Sequence, residues 1–73
     1  MTKLPAMRPE EVIAALRRTG YEVDHQTGSH VVMYREGWLP VTVPRHNREI
    51  KRGTLRHIIR STGLSVEEFV RLL

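Results

Sequence analysis

The spacing of apolar positions changes period along the chain, and each change marks an element. After Pro9, the residues Val12, Ile13 and Leu16 recur at the spacing of one helical face. Pro9 suits the first helical position, and Glu10 and Glu11 suit the positive end of the helix. Arg17 and Arg18 suit its last turn and Gly20 is a ready stop, so a helix is predicted over residues 9–19. In "YEVDHQ" the period falls to two, with Tyr21 and Val23 set against Glu22 and Asp24, which predicts a strand. "TGS" is a turn, and "HVVMYR" predicts a second strand rich in β-formers. "EGW" turns the chain again. "LPVTVP" predicts a short third strand whose two prolines suit an edge or a strand end. After the polar loop "RHNREI" the helical period returns in "KRGTLRHIIRSTG". Leu55, Ile58, Ile59 and Thr62 form its inner stripe, and Gly63 ends it. Ser65 followed by Glu68 is a capping-box signature, and it opens a last short helix carrying Phe69, Leu72 and Leu73.

The predicted order is α-β-β-β-α with a short C-terminal helix, an α+β class. A meandering three-stranded antiparallel sheet with both main helices on one face is the simplest way to bury these stripes, and it leaves the other sheet face open. This is the outline of a double-stranded-RNA-binding domain, although fold alone does not give function. With 73 residues the chain is read as a single domain over residues 1–73. A domain of this size buries only roughly 60% of its unfolded surface, which leaves no room for a deep substrate cleft. Residues 1–7 are assigned no role and are left free to be flexible.

Charge narrows the partners. The formal net charge is +4 and the sequence pI is about 10.4, which favours a polyanion, either nucleic acid or an anionic membrane. Arg45, Arg48, Lys51, Arg52, Arg56 and Arg60 meet a single acid, Glu49, across the loop before helix two and along that helix. They form either an ordinary solvated helix face or a phosphate-binding surface. The helix N-terminus would add free backbone N–H groups and partial positive charge to the second. There is no cysteine, which excludes a disulfide scaffold and thiolate metal sites. No signal-peptide pattern opens the chain, and apolar runs such as "VIAAL" are far too short to span a bilayer. A soluble, cytoplasmic protein is expected, with no membrane partner.

The histidines are His25, His30, His46 and His57. None makes a helical His-x-x-x-His pair or has an acid at a familiar ligand spacing, so no metal and no cofactor are expected. His57, beside Ile58 and Ile59, is expected to flank the core. His25 carries no assignment. His46 either orders its loop or touches RNA. His30 follows the Gly28–Ser29 turn and starts a strand, so it would be held by the ladder with space above it. An imidazole exchanges protons near neutral pH. On local features alone, a merely exposed or half-buried histidine is still the more ordinary reading.

Several motifs fall in one order: "GY" after helix one, "GSH" opening strand two, "VPRHN" closing strand three, and "KRGTLRHIIRSTGLSVEEF" near the end. The combination closely resembles the HicA family of small mRNA interferase toxins, over about residues 8–73. The resemblance implies a double-stranded-RNA-binding-like fold and RNA cleavage without a required metal. It also implies the toxin half of a type II toxin–antitoxin pair, masked by a HicB-type antitoxin. The catalytic residue it implies is the histidine of "GSH", here His30. Where the family often has proline, Arg52 stands. The usual metal-free route is attack of the 2′-OH on the adjacent phosphate. His30 would take the 2′-OH proton or protonate the leaving 5′-oxygen; His46 and Tyr34 are candidates for the second group. Lys51, Arg52 or backbone N–H groups would stabilise the phosphorane charge. Arg45, His46, Arg48, Lys51, Arg52 and Arg56 are the expected RNA contacts. A non-catalytic RNA-binding module is the alternative, and a DNA-binding protein comes third.

Overall fold

In the computed structural model, which describes residues 3–73, the first helix, α1, runs Pro9–Arg18. Pro9 stands at its start, and the Arg8 N–H donates to Glu11 Oε1 at 2.8 Å, so two of the groups a helix start leaves open are accounted for. The far end is closed by Gly20 at φ +104°, with the Tyr21 N–H returning to the Leu16 carbonyl at 3.2 Å. A side chain at Gly20 would be strained by that φ and would crowd Arg35, whose Nε lies 3.2 Å from where a Cβ would sit.

Three strands follow: β1 (Glu22–Thr27), β2 (His30–Tyr34) and β3 (Val41–Pro44). They form one antiparallel sheet in chain order, with β2 in the middle. The helix α2 (Arg52–Ser61) and the short α3 (Val66–Val70) complete the chain. Ser65 caps α3 as its spacing predicts: the Glu68 N–H donates to Ser65 Oγ at 3.0 Å, and the Ser65 N–H donates to Glu68 Oε1 at 2.9 Å.

Alternate residues of β2 and β3 decide the packing. Val31 and Met33 on β2 and Val41 and Val43 on β3 are buried, and α1 and α2 both pack against β3. Val12, Ala15 and Leu16 of α1 join Leu55, Ile58 and Ile59 of α2 and Phe69 of α3 in the same cluster. Each such side chain larger than alanine is worth about 1.5–3 kcal/mol when fully buried. The opposite sheet face is uncovered. The result is the expected α+β arrangement, a double-stranded-RNA-binding-domain-like fold with both main helices on one side. Among the described residues, no helix is long and apolar enough to cross a membrane.

Several expectations are corrected. Tyr21 is buried but lies before β1, and Val23 is 39% exposed. The predicted strand forms, but burial does not alternate along it: every β1 residue is exposed, on an edge of the sheet, while the helices pack on the other edge strand. Tyr21 is held by other means. Its hydroxyl donates to the Leu39 carbonyl at 2.7 Å, and its ring meets Trp38 edge-on at 6.1 Å. Arg35 stacks over Trp38 at 3.8 Å. Burial pushes the Tyr21 hydroxyl above its ordinary range, against an opposing pull from Arg35. His57, expected to flank the core, is exposed. At 3.6 residues per turn it points away from the stripe of Leu55, Ile58 and Ile59. The segment left free to be flexible divides: Leu4 and Met7 are buried, and the Ile50 N–H donates to the Met7 carbonyl at 2.8 Å. Positions 1 and 2 lie outside the described residues.

Candidate functional site

The turn Gly28–Ser29 joins β1 to β2 in two residues, with Gly28 at φ +53°. A first turn residue in the left-handed region followed by one that is not fits the type II′ hairpin, whose twist matches that of its strands. His30 is the first residue past this turn. It sits opposite Thr27 on one side and Pro44 on the other. The Arg45 N–H donates to the Ser29 carbonyl, which carries the ladder one step beyond Pro44. The backbone under His30 is thus held from both neighbouring strands. Since Val31 and Met33 face the helices, His30, Val32 and Tyr34 face the open side. His30 is exposed there.

The open face also takes residues from the edge strands. On β3 these are Thr42 and Pro44, opposite Val32 and His30. On β1 the register shifts: Val23 is opposite Met33, but His25 is opposite Val32, and Asp24 is the extra residue between them. Two residues that oppose one in this way project to the same side and bend the strand. Asp24 Oδ2 and His25 Nδ1 accordingly lie 2.7 Å apart, a contact that neighbours on a regular strand cannot make. Both side chains are more than half exposed.

The basic residues are exposed. Arg48 and Lys51 line a shallow hollow with His46 and Glu49. Arg52 lines a second with Pro5 and Ala6, and Arg56 and Arg60 line a third beside Leu64 and Val66. Arg52, Arg56 and Arg60 follow one another at helical i, i+4 spacing along the outside of α2. The first turn of α2 holds no acid and its cap position, Lys51, makes no side-chain cap, so its leading N–H groups stay available. Arg45 turns towards β1, donating to Gln26 Oε1 at 3.0 Å. Arg8, absent from the sequence expectation, donates to the Asn47 carbonyl at 3.0 Å and ties this loop to the start of α1.

Of the candidate partners for His30, Tyr34 is on the same face but four residues along β2, roughly 13 Å away at about 3.3 Å per residue. His46 is engaged within its own loop, where its Nδ1 accepts the Arg48 N–H at 3.1 Å. His25 is nearer by register, two residues from Thr27 on the same face. The sequence alone assigns it no role, and an Asp-His pair in a regular strand would point to opposite faces. Among the described residues, no group of three or more His, Asp or Glu is placed to hold a metal ion.

Comparison with known proteins agrees with this architecture. A solved chain described as a toxin–antitoxin complex from Streptococcus pneumoniae superposes with a TM-score of 0.71 at 29% identity. The match covers 80% of this chain and 98% of that one. Among curated proteins, none matches the chain. The family described as the HicA toxin of bacterial toxin–antitoxin systems matches residues 9–64, from the first residue of α1 past the end of α2. An open sheet face with a clamped histidine, carried on the α-β-β-β-α frame, is therefore set in a chain that belongs to the HicA toxin family.

Proposed function

We propose that the protein is a metal-independent endoribonuclease that cleaves mRNA and so inhibits translation in the cytoplasm, and that a HicB-type antitoxin neutralises it. The observation that carries this reading is the setting of His30. It is exposed on an uncovered sheet face and is fixed by pairing on both flanks. A proton-transfer group needs that combination of access and rigidity. The chain's positive charge and the open N-terminus of α2 supply the means to hold a phosphate backbone beside it. His30 acts on the 2′-OH or on the leaving 5′-oxygen, with Lys51, Arg52 or nearby backbone N–H groups countering charge on the phosphorane. Arg45, His46, Arg48 and Arg56 are the remaining RNA contacts.

The test is incubation of the purified chain with mRNA in the presence of a chelator. New ends bearing 2′,3′-cyclic phosphate and 5′-hydroxyl are expected. RNA that is bound but stays intact would favour a non-catalytic RNA-binding module. For the antitoxin, an acidic surface would complement the basic residues and cover His30. Hydrogen exchange of the complex should then show protection at the Gly28–His30 turn and at residues 45–52. Protection confined to α1 would contradict direct masking.

A further inference from the structure

We infer that the Asp24–His25 pair supplies the second proton-transfer group of the site, acting across one phosphodiester from His30. This rests on the ribonuclease reading above. Three observations converge. First, the extra residue in β1 places Asp24 and His25 on the open face together. Bulges of this kind commonly re-aim side chains beside active sites. Second, the 2.7 Å contact with Asp24 Oδ2 engages His25 Nδ1. The carboxylate only accepts, so Nδ1 carries the hydrogen and Nε2 is left as the atom that meets a substrate. Third, the register makes His25 the diagonal neighbour of His30: His30 is opposite Thr27, and His25 is opposite Val32. Diagonal neighbours on one face stand about 7–8 Å apart and are within reach of long and aromatic side chains.

That separation suits in-line displacement at phosphorus. Each imidazole approaches its oxygen at about 2.6–3.2 Å, so the two rings must flank the attacking and leaving oxygens. In the step, one imidazole takes the proton of the 2′-OH as the 2′-oxygen bonds to phosphorus. The P–O5′ bond breaks, and the other ring, as imidazolium, gives its proton to the 5′-oxygen. The products are a 2′,3′-cyclic phosphate and a 5′-hydroxyl, and proton exchange with water resets both rings. Asp24 touches no substrate; it is a positioning residue that fixes the tautomer and direction of His25. The other titratable groups of this face are Glu22 on β1 and Tyr34 on β2, which are opposite one another, and the β3 residues facing it, Thr42 and Pro44, do not titrate.

The experiment is single-turnover cleavage of an RNA oligonucleotide by the unaltered chain and by His25→Ala, His25→Gln, Asp24→Asn and His30→Ala. Each is measured over roughly pH 5 to 9, around the range where histidines titrate. Thermal midpoint and affinity for uncut RNA are measured alongside. The unaltered chain should give a bell-shaped profile, as a paired acid and base do. Both His25 variants should lose about 10²- to 10⁴-fold in rate and one limb of the bell, with RNA affinity kept. Asp24→Asn should show a smaller loss and a displaced limb, which a merely structural contact would not produce. If the unaltered chain cuts RNA, His30→Ala does not, and folded His25→Ala cuts within about threefold of the parent with both limbs intact, the pair has no such role while the ribonuclease reading stands. RNA left intact by the unaltered chain overturns that reading and this inference with it.

Discussion

On β2, Met33 has no accessible surface, while its neighbour Tyr34 is 51% exposed. Across the ladder the same contrast separates buried Val43 from exposed Thr42. One stretch of backbone thus presents two surfaces with different duties. The covered side holds the fold together through Val31, Met33, Val41 and Val43. The open side carries His30, and the ladder beneath holds that residue in place without asking it to pack. The pleat keeps the two sides separate, since successive residues leave the strand in opposite directions. A small domain with no deep cleft can therefore keep a rigid, accessible histidine within one residue of its core.

Substitutions on the two sides should consequently fail in different ways. The largest effect is expected for His30→Ala on the open side. Loss of a general acid or base costs about 10²- to 10⁴-fold in rate. That is roughly 3 to 5 kcal/mol of barrier at 1.36 kcal/mol per decade. Stability should shift by about 1 kcal/mol or less, and affinity for uncut RNA should hardly change. Cleavage rate, thermal midpoint and affinity measured together check this, and an unfolded variant would mean that the open side also bears structural weight.

Met33→Ala should show the reverse. Truncating a fully buried methionine costs about 2–5 kcal/mol, and each kcal/mol lowers the thermal midpoint of so small a domain by about 4–8 °C. Cleavage normalised to the folded fraction should stay at the parental level. Met33→Leu, of similar volume, should cost less than about 1.5 kcal/mol. A large loss of normalised rate in either variant would show that the two surfaces are coupled.

RNA affinity tests the cations before and along α2. If about four phosphate contacts form, the log–log salt slope should be near −3, at roughly −0.7 per contact on single strands. Replacing Lys51 and Arg52 by Gln should flatten it by about 1.4. A slope near zero would remove the phosphate surface altogether.

The smallest effect belongs to α3, the last element to join the core cluster. Its Glu68 carboxyl is held below the ordinary carboxylate value, chiefly by the Ser65 backbone N–H. A lowered folded value means that this contribution is present above the ordinary glutamate range and is lost as pH falls through the folded value. Ser65→Ala removes the capping hydroxyl and should cost about 1 kcal/mol near neutral pH. The backbone bond to Glu68 remains in that variant, so its acid sensitivity should persist. Circular dichroism melts across the acid range check both.

Much of the covered side was legible in the sequence, because burial imposes periodicity. The stripe of Leu55, Ile58, Ile59 and Thr62 and the Ser65–Glu68 cap stand where spacing puts them. The position of His30 at the start of β2 was also legible, from a short turn followed by β-formers. Features that depend on unequal pairing or distant partners were not. The extra residue Asp24 leaves no mark in a pattern of alternation, so the contact with His25 was hidden. Leu4 and Met7 lie before any periodic segment, and their burial depends on a partner at Ile50.

The shared burial of Leu4 and Phe69 has a consequence for synthesis. Both belong to one cluster although 65 positions separate them in the chain. A nascent polypeptide can close the β1–β2 hairpin early, since short hairpins form in about 1–10 μs. It cannot complete the core beneath that hairpin until residue 69 has emerged from the ribosome. Until then the sheet lacks part of its backing, and the geometry around His30 is only provisional. The support beneath His30 should therefore be complete only once Phe69 has joined the cluster that holds Leu4.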